Sequence, residues 1–271
     1  MIKNIKNAII FVISLFAGCA NHAIAAEFSY TSANAFGEGR IDGESLLISS
    51  SINSGDTVRL KNFILSDTKR YLETNRRIIL SSTGGDISEA LKIADFIQGT
   101  YSTVFVGKAT GRCLSACFFM YLSAPTRMAS LGSIGIHRPY LRKDIVSKMS
   151  PGEAMAEQKK AISYTRDRLT ELGVPAQLID KMISHSSDEL YILTEAEILI
   201  DIGHYSNWYE QYLISRCNLR KHDVNSYFQP KKDSRAYGNS ILATKIVDAE
   251  KCGHKLSAAE YITYLQRFLS E

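Results

Sequence analysis

Between residues 44 and 140, short apolar runs of strand length alternate with stretches in which apolar residues recur at helical spacing. This pattern predicts alternating strands and helices. Short apolar runs of strand length occur at residues 44–52, 76–82, 102–109, 127–130 and 133–137. After Asp56 and again after Asp86, apolar side chains recur every three or four residues, which is the spacing of a helix. Strands that alternate with helices in this way are typical of an α/β core with a largely parallel sheet.

The pattern becomes mostly helical after residue 150. Residues 151–185 predict two helices separated by a break at Gly173-Val174-Pro175, and residues 190–193 predict a last short strand. The segment after residue 204 is polar, rich in aromatic residues and mostly helical in pattern. We therefore expect three parts: a signal peptide (1–26), an α/β domain (27–204) and a helical C-terminal extension (205–271).

The first 26 residues have the pattern of a secretory signal: two lysines, then an apolar run of about a dozen residues, then small residues before Glu27. Cleavage is expected after Ala26 or Ala25. The run is short of the roughly 20 residues that span a bilayer, and no later segment is long and apolar enough to do so. We expect export to a bacterial periplasm. An alternative is a lipoprotein with its lipid on Cys19.

The composition, 45% hydrophobic and 22% charged, is that of a globular protein with a sizeable core. The formal net charge of +4 is small for 271 residues, and its basic residues form no stripe interleaved with aromatics. Nucleic acid is therefore not an expected partner. The sequence also suggests no cofactor.

Four cysteines follow the expected signal, and an even number in an oxidising compartment favours disulfides over metal ligands. The Cys113/Cys117 pair lacks a second pair with histidines at zinc-site spacing, so we expect no metal. We predict that Cys217 bonds Cys252 and that Cys113 bonds Cys117. The alternative for Cys113 and Cys117 is two buried free thiols.

Three features suggest a catalytic site. Gly84-Gly85 follows a predicted strand and opens a helix, and Ser115 also stands between a strand and a helix start. His137 ends a short apolar run 22 residues later. Carboxyl ends of parallel strands meet at one edge of a sheet, where ligand sites of α/β proteins lie. A serine hydroxyl needs a base to become nucleophilic, and His137 is the candidate. The alternatives are a helix cap, a tight turn and a structural histidine.

The order of these motifs resembles the proteolytic subunit of the Clp protease. That family has a Ser-Pro-Gly-Gly turn, a Gly-Gln-Ala segment, a serine-bearing helix and an Ile-His-Gln-Pro strand. The matching segments here are Ser82-Thr83-Gly84-Gly85, Val106-Gly107-Lys108-Ala109 before Ser115, and Gly135-Ile136-His137-Arg138-Pro139. The Cys-x-Ser-Ala-Cys motif looks like that of exported relatives of this protease. The resemblance covers roughly residues 44–204 and implies a Clp-protease/crotonase-like fold of repeated ββα units.

The resemblance also implies roles for individual residues. Ser115 is the expected nucleophile and His137 its base, and the N–H groups of Gly85 and Ala116 match the family's oxyanion hole.

The third member of the triad departs from the family's pattern. The family's aspartate position falls on Leu190, so we assign Asp188 as the nearest carboxylate, with a turn-capping role as its alternative.

We therefore expect an exported serine peptidase or related hydrolase acting on flexible peptide or protein chains, and homo-oligomers are common in the family. A non-catalytic periplasmic binding or scaffold protein of the same fold is the alternative. A crotonase-type enzyme for acyl thioesters would share the fold, but coenzyme A esters are cytoplasmic and this chain is expected to be exported.

Overall fold

The structure is a computed structural model that describes residues 25–37, 40–228 and 240–271. The expected signal peptide, with Cys19, lies outside the described residues except for its last two positions. Within the described ranges, no helix has both the length and the apolar character needed to cross a bilayer.

One mixed sheet runs through the core. Its strands are β1 (Glu27–Ala33), β2 (Arg40–Ile52), β3 (Arg77–Gly85), β4 (Thr103–Val106), β5 (Cys113–Leu114), β6 (Thr126–Ala129), β7 (Ile134–Ile136) and β8 (Tyr191–Ile192). Most neighbours pair in parallel, and the two antiparallel pairs, β1 with β2 and β7 with β8, lie at the ends of the strand order. The sheet forks at β3, whose first half pairs with β4 and whose last part pairs with β5. The predicted α/β class is confirmed.

Helices cover the sheet and form the C-terminal part of the chain. They are α1 (Asp56–Ser66), α2 (Thr68–Glu73), α3 (Ile87–Gly99), α4 (Cys117–Ser123), α5 (Lys143–Val146), α6 (Pro151–Glu171), α7 (Ala176–Ser184), α8 (Asn207–Arg216), α9 (Lys221–Phe228), α10 (Ser240–Leu256) and α11 (Ala258–Ser270), with a π-helical turn at Glu197–Ile202. Helix α3 begins where predicted because the Asp86 carboxylate accepts from Glu89 N–H at 2.9 Å.

Helix α4 lies in the centre of the core. Every side chain from Cys117 to Ser123 is buried, and α4 packs against α3 and β3. Burying a large apolar side chain such as Phe118 or Phe119 stabilises the fold by about 1.5–3 kcal/mol. Because α4 has no solvent-facing side, its first turn has little freedom to move. Ser115 lies just before Ala116, the N-cap of this helix.

The mostly helical C-terminal extension is confirmed, and it is joined to the core. Helices α8 to α10 share a second apolar cluster that includes Tyr209 and Leu213, whereas α11 packs on the main core through Tyr261 and Leu265. The sulfur atoms of Cys217 and Cys252 lie 2.09 Å apart, as predicted, and link the end of α8 to α10. The domain boundary between residues 204 and 205 stays a prediction.

Candidate active site

Ser115 occupies a sharp turn between β5 and α4. Its φ of 55° lies in the left-handed region, which costs a non-glycine residue about 1–2 kcal/mol. Its N–H donates to the Gly135 carbonyl at 2.8 Å, and its carbonyl accepts from Phe118 N–H at 3.0 Å. The Ser115 side chain is partly exposed, while Ala116 is buried. A strained strand-to-helix turn of this kind can present a serine hydroxyl to a cleft.

Two cysteines clamp this turn. Cys113 belongs to β5 and pairs with Ser82 on one side and Ile134 on the other, while Cys117 begins α4. Their sulfur atoms lie 2.03 Å apart, and both side chains are fully buried. The predicted pairing is therefore present, and it ties the end of the strand to the start of the helix across Ser115.

The glycine turn at the end of β3 packs against the Ser115 turn. Gly84 has φ of 86°, and a Cβ there would lie 2.6–2.8 Å from atoms of residues 114–116. Gly85 has φ of 142°, and a Cβ there would lie 2.1 Å from the Ile52 carbonyl oxygen. Only glycine fits both the backbone conformation and the close approach at these positions.

A pocket of about 660 Å³ lies over Ser115, within the usual size range of ligand pockets. Its walls come from the end of β2, the glycine turn, Ser115, His137 and the chain that follows His137. The apolar and aromatic side chains on these walls are Ile52, Ile87, Pro139, Tyr140, Leu141 and Ile145. Asp86 and Arg142 add one charge of each sign. In the part of the chain that the structure describes, no group of three or more His, Cys, Asp or Glu residues could hold a metal ion.

His137 lies just after β7 and is 8% exposed. Its Nδ1 lies 2.8 Å from the Arg138 carbonyl oxygen, and its ring centroid lies 5.7 Å from that of Tyr140. A carbonyl only accepts, so Nδ1 carries the proton in this contact and Nε2 is the ring's acceptor. Ser115 and His137 line the same pocket, although no hydrogen bond joins their side chains within the described residues.

Asp188 lies exposed in the turn between α7 and β8 and does not line the pocket. Among the described contacts, no hydrogen bond or ion pair connects it to His137. Ile136 pairs with Tyr191, so extending this antiparallel register by one residue puts Leu190 opposite His137. The role predicted for Asp188 stays a prediction, and Leu190 holds the cross-strand position.

A buried carboxylate that sequence reasoning missed holds β8 in place. Glu197 accepts hydrogen bonds from Lys181 Nζ at 2.6 Å, Tyr191 Oη at 2.9 Å and Thr194 N–H at 2.8 Å. Burial alone would raise the pKa of Glu197, but these hydrogen bonds outweigh it and lower that pKa to about 2. Because Tyr191 is in β8, this network supports the strand that pairs with β7 beside His137.

No protein-family model matches this chain, and no curated protein matches it. Solved structures do match it. A variant of the 1510-N membrane-bound stomatin-specific protease is 18% identical, with 64% of this chain and 83% of that chain covered and a TM-score of 0.40. A ClpP1 variant from Listeria monocytogenes is 22% identical, with 59% and 86% covered and a TM-score of 0.37.

An enoyl-CoA hydratase/isomerase family protein from Pseudomonas syringae is 12% identical, with 90% of this chain and 95% of that chain covered and a TM-score of 0.35. All three identities are below 25% and all three TM-scores are below 0.5, so these likenesses carry no argument about this chain. The chemistry of Ser115 and His137 depends on the geometry described above.

Proposed function

We propose that this chain is an exported serine peptidase-like hydrolase in which Ser115 is the nucleophile and His137 its general base. The observation that carries the proposal is the Ser115 turn itself. A partly exposed serine is held at a left-handed φ of 55° by main-chain bonds and a buried cysteine pair, and it faces the same pocket as His137. Backbone strain of this kind persists only where the surrounding structure imposes it, and it concentrates at functional sites.

In the proposed reaction, His137 Nε2 takes the proton of Ser115 Oγ as the oxygen attacks a peptide carbonyl carbon. The protonated imidazole then gives that proton to the leaving amine, and the acyl group stays on Ser115. A water molecule, deprotonated by the same imidazole, releases the acid and regenerates the serine. The reaction needs Oγ and Nε2 to come within about 2.6–3.2 Å once substrate is bound.

The N–H groups of Gly85 and Ala116 are the proposed donors to the oxyanion of the tetrahedral intermediate. Ala116 is the N-cap of α4, where backbone N–H groups lack partners within the helix. Gly85 lines the pocket together with Ser115. Losing one donor of an oxyanion hole typically costs about 3–4 kcal/mol of transition-state stabilisation.

The proposed substrate is a flexible or unfolded peptide chain, because the pocket is open and carries apolar walls with one charge of each sign. The proposed compartment is a bacterial periplasm. The two cysteine pairs at bonding distance fit an oxidising environment and add to the sequence pattern of residues 1–26. Lipid attachment at Cys19 is the alternative form of the same export. A homo-oligomer is a candidate assembly, because homo-oligomers are common in the family that the sequence resembles.

The test is hydrolysis of fluorogenic unfolded casein by the exported, oxidised protein. We expect cleavage that Ser115→Ala abolishes and that Ser66→Ala, an exposed serine on α1, leaves intact. A cleavage rate in Ser115→Ala equal to that of the unsubstituted protein would overturn the proposal.

A non-catalytic binding or scaffold protein is the second candidate. One observation favours it: within the described residues, no carboxylate forms a hydrogen bond or ion pair with His137, and no hydrogen bond joins His137 to Ser115. This role predicts that the folded, oxidised protein binds unfolded chains without cleaving them, and that Ser115→Ala binds them equally well.

A further inference from the structure

The two residues after His137 are held from several sides. The Arg138 N–H donates to the His185 carbonyl at 3.0 Å, and the Arg138 carbonyl accepts from His137 Nδ1 at 2.8 Å. The next carbonyl, that of Pro139, accepts from Gln158 Nε2 of α6 at 2.6 Å. The imidazole of His137 is therefore bonded to a main-chain carbonyl in a segment that is itself anchored to α6 and to the residue after α7.

We propose that the Arg138 carbonyl orients His137 in the way that a carboxylate does in a Ser-His-Asp triad, and that Gln158 is the positioning residue that fixes this carbonyl. The inference rests on the proposed function of Ser115 and His137. It replaces a charged third group with a neutral one that belongs to the backbone.

The surroundings of His137 support a neutral partner. Leu190 is opposite His137 in the extended β7/β8 register, and its side chain lies over Gly135, where an added Cβ would be 2.9 Å from Leu190 Cγ and Cδ2. The cross-strand position opposite His137 therefore carries an apolar side chain and not a carboxylate. The Arg138 carbonyl meets Nδ1 instead and selects the tautomer with Nε2 as the acceptor.

Gln158 can control this carbonyl because the intervening torsions are few. Pro139 has no N–H, and its ring restricts φ to about −65°. The Gln158 hydrogen bond holds the Pro139–Tyr140 peptide plane, and the fixed proline φ links that plane to the plane that contains the Arg138 carbonyl. Helix α6 has 21 residues, of which only Thr165 and Leu169, near its end, are buried. The Gln158 amide contacts the pocket rim through its hydrogen bond to Pro139.

A carbonyl can orient the imidazole as a carboxylate does, but it stabilises the protonated ring less. It holds the ring in the right tautomer and direction, but a hydrogen bond between neutral groups is roughly half as strong as one to a charged group. The imidazolium that forms during catalysis is therefore stabilised less than in a full triad. We expect a slow hydrolase whose rate is sensitive to the Gln158 hydrogen bond.

The test measures the tautomer of His137 and the reactivity of Ser115 in the same proteins. The tautomer is read from the ring-nitrogen spectrum of ¹⁵N-histidine-labelled protein, with His137 assigned by its absence in His137→Ala. Reactivity is the rate of inactivation by a fluorophosphonate, separated into the maximal rate and the half-saturating concentration. The variants are Gln158→Ala, Gln158→Lys as a donor that restores the contact, and Lys159→Ala as the matched control on an exposed neighbouring position of α6.

We expect neutral His137 to carry its proton on Nδ1 in the unsubstituted protein and in Lys159→Ala. Gln158→Ala should give a mixture of tautomers and lower the maximal inactivation rate about tenfold, which corresponds to about 1.4 kcal/mol. Its half-saturating concentration should not change. Gln158→Lys should recover most of both effects, which a merely structural role of Gln158 would not predict.

Several results would overturn the proposal. They are a proton on Nε2 in the unsubstituted protein, a Gln158→Ala variant with unchanged tautomer and rate, or a loss of rate in Asp188→Asn as large as in His137→Ala. If the unsubstituted protein does not react while Gln158→Ala still shifts the tautomer, the positioning role stands and the hydrolase proposal fails. If it reacts and Gln158→Ala matches it in rate and tautomer, the positioning role alone fails.

Discussion

Replacing Gly84 with alanine tests whether the glycine turn sets the position of Ser115. The new Cβ would lie 2.6 Å from the Leu114 carbonyl oxygen, 2.7 Å from Ser115 Cβ and 2.8 Å from Ala116 N. These distances fall about 0.6–0.8 Å short of the 3.4 Å at which ordinary van der Waals contact begins. All three atoms belong to the turn that carries the proposed nucleophile and oxyanion donor, so relief of the clash must move the turn.

The expected loss has two parts. An alanine at φ of 86° costs about 1–2 kcal/mol in conformational energy whatever its surroundings. A misplacement of about 1 Å in a catalytic group costs about 10²-fold in rate. We therefore expect Gly84→Ala to lower the fluorophosphonate inactivation rate of Ser115 by about two orders of magnitude while the protein stays folded.

Gly132→Ala is the matched control, because Gly132 has φ of 79° and a Cβ there would meet only Lys108 Cε at 3.7 Å. It should lose about 1–2 kcal/mol of unfolding free energy and keep its inactivation rate. Urea denaturation and inactivation kinetics on both variants give the comparison. Equal inactivation rates in the two variants would refute the claim that the glycine turn positions Ser115.

Four further predictions concern the surroundings of the site. Replacing both Cys113 and Cys117 by alanine should lower the unfolding free energy, measured in urea, by about 2 kcal/mol in the chain-entropy model. It should also reduce the rate at which Ser115 is inactivated in the folded protein, and an unchanged rate would contradict the role of this disulfide in holding the turn. Replacing Cys217 and Cys252, 35 residues apart, should cost about 4 kcal/mol in the same assay, and a loss near zero would contradict the linkage. Leu190→Asp should raise the inactivation rate about tenfold, because a charge-assisted hydrogen bond to the imidazole is about twice as strong as a neutral one; a fall in rate without unfolding would count against the register. The pKa of Glu197 is lowered from an ordinary 4.5 to about 2, so its ionised form stabilises the fold above pH 4.5, and this stability is lost as the pH falls towards 2. Glu197→Gln should therefore have a lower unfolding free energy at neutral pH. Its unfolding free energy, measured by urea denaturation, should also fall less steeply between pH 4.5 and 2.

The sequence predicts those parts of the fold that depend on residues close together along the chain. The boundary of α3 follows from the Asp86 side chain, which caps its own helix, and from apolar spacing along that helix. Strand β1 and the two-residue strand β5 were not predicted. Strand β5 is too short to show a period, and it exists because Cys113 pairs with strands on both sides.

The candidate site likewise contains residues that the sequence could predict and residues that it could not. Ser115 and His137 could be proposed from motif order, since each stands at the end of a strand pattern. Gln158 could not, because a glutamine on an exposed helix has no meaning until the fold brings it to a carbonyl 19 residues away in sequence. The third group is assigned to Asp188 because it is the carboxylate nearest in sequence to the family's position. The register of β7 and β8, which extends to put Leu190 opposite His137, is a tertiary property.

The central claim is that Ser115 is a nucleophile activated by His137. The most direct measurement is intact-mass and peptide-mapping mass spectrometry of the folded, oxidised protein after reaction with a fluorophosphonate. We predict one adduct per chain, located on Ser115, absent in Ser115→Ala and strongly reduced in His137→Ala. Folded protein that gains no adduct, or that gains it on another serine, would contradict the account.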